Sequence, residues 1–140
     1  MMLYAGIRPH EVERLTWESV DVQEECICVR PQHSKTGGAR RVTILAPLAS
    51  LLRNQLLDTQ RKGMPRAGKI CPRNWRSHWA KLHKAAGFPR WQPDVLRHTY
   101  ASHHLARFRS FSELQVEMGH RSSELLRSRY VSMPRKSLFC

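Results

Sequence analysis

Asp94-Val95-Leu96-Arg97-His98-Thr99-Tyr100-Ala101-Ser102, preceded by Pro93, reads as the opening of a helix that runs from about Asp94 to Arg107. Asp94 and Arg97 are three apart and share a face of that helix. Tyr100 lies four positions from Leu96 on an apolar face and reads as core. Downstream, a shorter helix is predicted over 112–118, ending at Gly119, with His120 directly after it. Ser123 is placed to cap a last helix through Arg129, with Tyr130 at its end and Pro134 stopping it.

Upstream, the same rules give an N-terminal helix over Pro9–Leu15, with Pro in its first turn. Val20-Asp21 starts a turn. Residues 25–30 and 41–45 read as two strands of a β-hairpin, with Ser34-Lys35-Thr36-Gly37-Gly38 as its turn and Lys35 at or near the tip. Leu48, Leu51, Leu52 and Leu56 mark a helix after Pro47. A basic loop over 61–69 follows. Trp75, Trp79, Leu82 and Ala86 then mark a helix that stops at Gly87. No repeat or low-complexity segment interrupts the chain. The fold class is mainly α with one small antiparallel β-sheet (α+β).

Composition narrows the function. The chain has 140 residues, enough for one domain with one core. Hydrophobic residues at 41% and charged residues at 25% are globular rather than disordered proportions. With 24 Lys and Arg against 11 Asp and Glu, the net charge is +13. The excess is concentrated: residues 26–93 hold 14 basic residues against Asp58 alone. A basic segment of that density suits a phosphate backbone, so a polyanion such as DNA or RNA is the expected class of partner. No stretch approaches about 18 uninterrupted apolar residues, which excludes a transmembrane helix, and no segment has the basic amphipathic pattern of a membrane-surface helix. The start lacks a basic and then apolar leader. Cys26, Cys28, Cys71 and Cys140 form no disulfide framework and read as reduced thiols of a cytoplasmic protein. A zinc site would need a Cys-x₂-Cys pair and a second pair, which these cysteines do not supply, and His103-His104 is not the His-Glu-x-x-His of a metalloprotease. Neither a metal nor another cofactor is expected.

Arg8, Lys35, Arg97, His120 and Tyr130 each have a bland explanation singly: a surface ion pair, a solvated turn, a helix-end residue, a half-buried tyrosine. Their order and surroundings carry more. Ala5-Gly6-Ile7-Arg8-Pro9-His10-Glu11-Val12, Leu15-Thr16-Trp17-Glu18-Ser19-Val20-Asp21-Val22, Ser34-Lys35-Thr36-Gly37, Leu96 to Ser102, Met118-Gly119-His120 and Tyr130 occur in that sequence. This succession resembles the catalytic domain of the tyrosine recombinases, the phage-type integrases, over nearly the whole chain.

The resemblance implies a DNA breaking-rejoining enzyme in which Tyr130 attacks a phosphodiester and forms a 3′-phosphotyrosyl link. It implies that Arg8 and Arg97 bind the non-bridging phosphate oxygens, where guanidinium forks stay charged throughout. His120 would add a hydrogen bond, and Lys35 would protonate the departing 5′ oxygen. Such a reaction uses neither metal nor ATP, because the phosphotyrosine bond retains the energy for religation. A tetramer on double-stranded DNA is also implied. The chain departs from the family pattern at Asp94, where a histidine is usual. Asp94 is either a base or an orienter of Arg97, and the orienting role is expected, since a carboxylate beside the phosphate would repel it. A second departure is length: the expectation is a single catalytic domain over 1–140, without the upstream core-binding domain and the first helices before Ala5. The alternative function is a non-catalytic DNA-binding remnant of a recombinase.

Overall fold

The computed structural model describes residues 1–34, 37–61, 67–88, 92, 94–120, 122, 124 and 126–127. Among these, the chain runs α1 (Met2–Ala5), α2 (Pro9–Val12), β1 (Val20–Asp21), β2 (Cys26–Val29), β3 (Arg40–Thr43), α3 (Ala46–Arg61), α4 (Trp75–Ala86), α5 (Val95–Phe108) and α6 (Phe111–Met118), with 3₁₀ turns at Trp17–Ser19 and Pro31–His33. The class is the one expected, mostly helical with one small sheet.

The sheet has three antiparallel strands in the order β1-β2-β3 rather than the two of a simple hairpin. Val20 and Asp21 do not merely start a turn: they pair with Ile27 and Cys26. Asp21 serves both purposes, because its Oδ1 accepts from the backbone N–H groups of Gln23 and Glu24 and so folds the chain back toward β2. Ile27 lies opposite Val42, and Val29 opposite Arg40. By alternation these four face the same side of the sheet. Ile27, Val29 and Val42 are buried there with Ile44.

Two hydrophobic clusters result. The first joins the sheet's inner face to Ala5, Ile7, Leu15, Leu48, Ala49 and Leu52. In α3 the buried stripe is Leu48, Ala49 and Leu52, while Leu51 is exposed. The second cluster joins Tyr100 and Ala101 of α5 to Leu114 and Met118 of α6, with Leu126. Along α4, Trp75 and Trp79 are half-buried with ring centroids 6.2 Å apart, and Leu82 and Ala86 are exposed.

The first helix, α1, ends where Gly6 takes a left-handed backbone, φ 58°. A Cβ there would also clash with Cδ1 of the Tyr100 ring. That close approach packs α1 on α5 and joins the two clusters. The buried polar residues are Glu11, Ser19, Arg97 and His104 among those described.

Candidate active site

Ile7, Glu11 and Leu15 are each fully buried and spaced by four along the chain. The middle member of this stripe is a carboxylate, so it needs partners. Its Oε1 accepts from Arg8 Nη1 at 3.3 Å and Arg40 Nη1 at 3.0 Å. Its Oε2 accepts from the Arg8 backbone N–H at 3.0 Å and Arg40 Nη2 at 2.6 Å. Four donors thus meet the roughly four lone-pair sites of a carboxylate. Burial raises the Glu11 pKa, but the hydrogen bonds and charge of Arg40, followed by those of Arg8, outweigh it and hold the group below its ordinary value.

The arginines have a second anchor at the C-terminus of α6. Gly119, at φ 61°, donates to Val116 O, and His120 N–H donates to Gln115 O, which closes the helix in a Schellman motif. The next three carbonyls each receive a different guanidinium. Glu117 O accepts from Arg40 Nε at 2.8 Å, Met118 O from Arg97 Nη2 at 2.6 Å, and Gly119 O from Arg8 Nη2 at 3.2 Å. These carbonyls lie at the negative end of a helix, a favourable place for cations. Arg97 also donates through Nη1 to Gly6 O, at the end of α1.

The local sequence explains each position. Arg97, Tyr100, Ala101 and His104 are the buried residues of α5 and follow helical spacing. Arg8 is the N-cap of α2 in extended conformation, with Pro9 next to it. His120 follows the left-handed Gly119 and is half-buried; its carbonyl accepts from Gln115 Nε2. Arg8, Arg97 and His120 are therefore brought together around one helix end. Burial, then the charge of Arg8, lowers the Arg97 pKa to about 10, with Glu11 opposing and Arg40 adding to the effect. Arg97 remains a cation at neutral pH.

Asp94 is the N-cap of α5 in left-handed conformation, exposed, and influences Arg97 through its charge. Arg97 is held by the hydrogen bonds it donates to the carbonyls of Gly6 and Met118. Asp94 instead borders a cavity of about 380 Å³, together with Arg8, His10 and Arg14. Lys35 and Tyr130 lie outside the described residues.

Tyr100, read as core, is buried and donates to Glu117 Oε2 at 2.5 Å. Burial first, then that carboxylate, pushes its pKa up. Glu117 Oε1 accepts from Thr43 N–H of β3, and its Oε2 lies 3.6 Å from His104 Nε2. This carboxylate ties α5, α6 and β3 together.

Two members of the cluster were not singled out from the sequence, Glu11 beyond its place in a motif and Arg40 altogether. Both carried a signal. Glu11 falls on the apolar stripe of Ile7 and Leu15, and Arg40 alternates with Val42 and Ile44 on the inward side of a strand. A charge on each of two buried faces calls for a buried ion pair.

Residues 1–136 match the sequence model of the phage integrase family. The chain belongs to that family. No curated protein matches it. Among solved structures it resembles XerA recombinase at 26% identity and TM-score 0.72, over 96% of this chain and 51% of that one. It resembles the catalytic domain of bacteriophage HP1 integrase at 26% identity and TM-score 0.65, over 93% of this chain and 69% of that one. The Tn1549 transposon integrase, solved with transposon right end DNA, shares the fold at 18% identity and TM-score 0.64, over 95% of this chain and 53% of that one. The chain thus spans about half the length of the solved XerA and Tn1549 integrase chains. Its fold is that of a tyrosine recombinase catalytic domain.

Proposed function

We propose that this chain is the catalytic domain of a site-specific DNA recombinase that binds duplex DNA and cleaves one strand through Tyr130. The observation that carries this reading is the convergence of Arg8 and Arg97 on the helix end that presents His120. In the reaction, Tyr130 Oη attacks the phosphorus and gives its proton to solvent water, the P–O5′ bond breaks, and a proton from Lys35 goes to O5′. A 3′-phosphotyrosyl bond forms, and reversal by a 5′ hydroxyl rejoins the strand. Arg8 and Arg97 neutralise the charge that builds on the non-bridging oxygens, and His120 donates a hydrogen bond to the same phosphate. Each guanidinium has five N–H donors, and the hydrogen bonds described above employ two of them from each arginine, both to protein oxygens. Arg8 borders the cavity, while Arg97 is buried. Asp94 supports the positive charge of Arg97 rather than taking part in the chemistry. The working assembly is a tetramer on DNA, as the resemblance implies.

The test is a DNA duplex nicked beside the cleavage site, so that the cut strand end diffuses away and the covalent complex accumulates. A protein–DNA adduct that survives denaturing electrophoresis is expected from the native chain and is lost in Tyr130→Phe, with DNA affinity retained. An adduct that persists in Tyr130→Phe would remove the nucleophile assignment. Salt-sensitive binding with no adduct at high protein concentration and long incubation would leave the DNA-binding remnant as the function.

A further inference from the structure

The most completely engaged arginine in the cluster is Arg40, which has no part in the reaction proposed above. Its side chain is 5% exposed. It makes both of its short contacts to Glu11 side by side, at 3.0 and 2.6 Å, while its Nε caps Glu117 O. It is thus turned wholly toward protein and does not face the cavity that Arg8 borders. Its stem lies against Gly119: a Cβ there would be 3.1 Å from Arg40 Cδ and 3.2 Å from Nε. By comparison, Arg8 makes only one side-chain contact to Glu11, at 3.3 Å.

The division of Glu11 between the two arginines is unequal, and this has a consequence. A buried carboxylate pairs with the best fork within reach. With Arg40 holding both oxygens, Arg8 is left with one long contact and a bond to Gly119 O. Without Arg40, Glu11 would be a buried anion with Arg8 as its remaining arginine partner. It would draw both terminal nitrogens of Arg8 inward.

We propose that Arg40 is a positioning residue of the cleavage site: it saturates Glu11, and so keeps the Arg8 guanidinium available to a DNA phosphate. The inference rests on the proposed function only in taking Arg8 as a phosphate ligand. Arg40 does not touch the DNA and acts through Glu11.

The test is a cycle of variants, read as the rate of adduct formation on saturating nicked DNA, with folding checked by circular dichroism. Arg40→Met is expected to slow the reaction by about a hundredfold, as for a misplaced phosphate ligand, with DNA affinity little changed. Glu11→Gln/Arg40→Met, which also removes the anion that would capture Arg8, is expected to recover about tenfold of that loss. A double variant as slow as Arg40→Met, or slower, would overturn the proposal. Should Arg40→Met fail to fold, Arg40→Lys keeps the charge and the stem against Gly119 but lacks the paired fork. It is expected to be slower than the native chain by about tenfold, and a native rate would overturn the proposal. Arg8→Ala run alongside separates the two claims: a native rate there would remove Arg8 as a phosphate ligand, whereas a slow Arg8→Ala without recovery in the double variant would count against Arg40 alone.

Discussion

Glu11 is the residue on which the arginine cluster depends. Its carboxylate is buried, its four hydrogen bonds come from two arginines, and those arginines lead to the end of α6. Removing one member of a buried pair leaves charge without compensation, so Glu11→Gln is expected to cost about 3–5 kcal/mol of stability. Urea unfolding at neutral pH measures it. The sign with pH follows from the lowered pKa. Because the folded value lies below the ordinary one of 4.5, the stability that Glu11 contributes is complete above about pH 4.5 and is lost as pH falls through the folded value. Glu11→Gln lacks this titration, so the gap between the two proteins narrows in acid. A constant gap from pH 7 to pH 3 would show that Glu11 is not held as a buried anion.

At the scale of elements, the site depends on three joints: α1 against α5, α6 against β3, and the turn from α6 into His120. Gly6 makes the first. It needs a left-handed backbone and has no room for a Cβ beside Tyr100, and its carbonyl also holds Arg97. Gly6→Ala therefore combines a backbone cost of about 1 kcal/mol with a forced shift of Tyr100, which adds about 1–3 kcal/mol. The expected result is a lower thermal midpoint together with weaker cleavage, since α1 and Arg97 move together. A native midpoint would mean that α1 does not pack as described. Much of this level was legible in the sequence. The helix opening at Asp94, the stop at Gly119 and the strands around residues 26 and 42 follow from local signals: a preceding proline, a glycine where the helix ends, and alternation of apolar residues. The short pairing of Val20 and Asp21 was not legible, because two residues carry no periodicity and Asp21 signals a turn equally well. The helix Met2–Ala5 was also missed, being a single turn fixed by its packing on α5 rather than by its own sequence. The convergence of Arg8, Arg40 and Arg97 depends on contacts across 21 to 111 positions of the chain, which no local pattern encodes.

For the whole molecule, the relevant quantity is the surplus of positive charge. The arginines around Glu11 account for little of the +13, most of which lies over residues 26–93 outside that cluster. Binding to duplex DNA should therefore depend steeply on salt and only weakly on the arginines of the site. If about six phosphates are contacted, log K against log salt should fall with a slope near −5. Fluorescence anisotropy over a salt series measures this, and a flat response would exclude the phosphate-backbone reading. Binding alone does not separate an enzyme from a DNA-binding remnant, however, because charge and fold serve both. The chemistry separates them, and its product can be located. The covalent complex formed on nicked DNA can be digested with nuclease and trypsin and its modified peptide sequenced by mass spectrometry. The nucleotide is expected on Tyr130, joined through a 3′ phosphate. A nucleotide on Tyr4, on Tyr100 or on any residue other than Tyr130 would contradict the account.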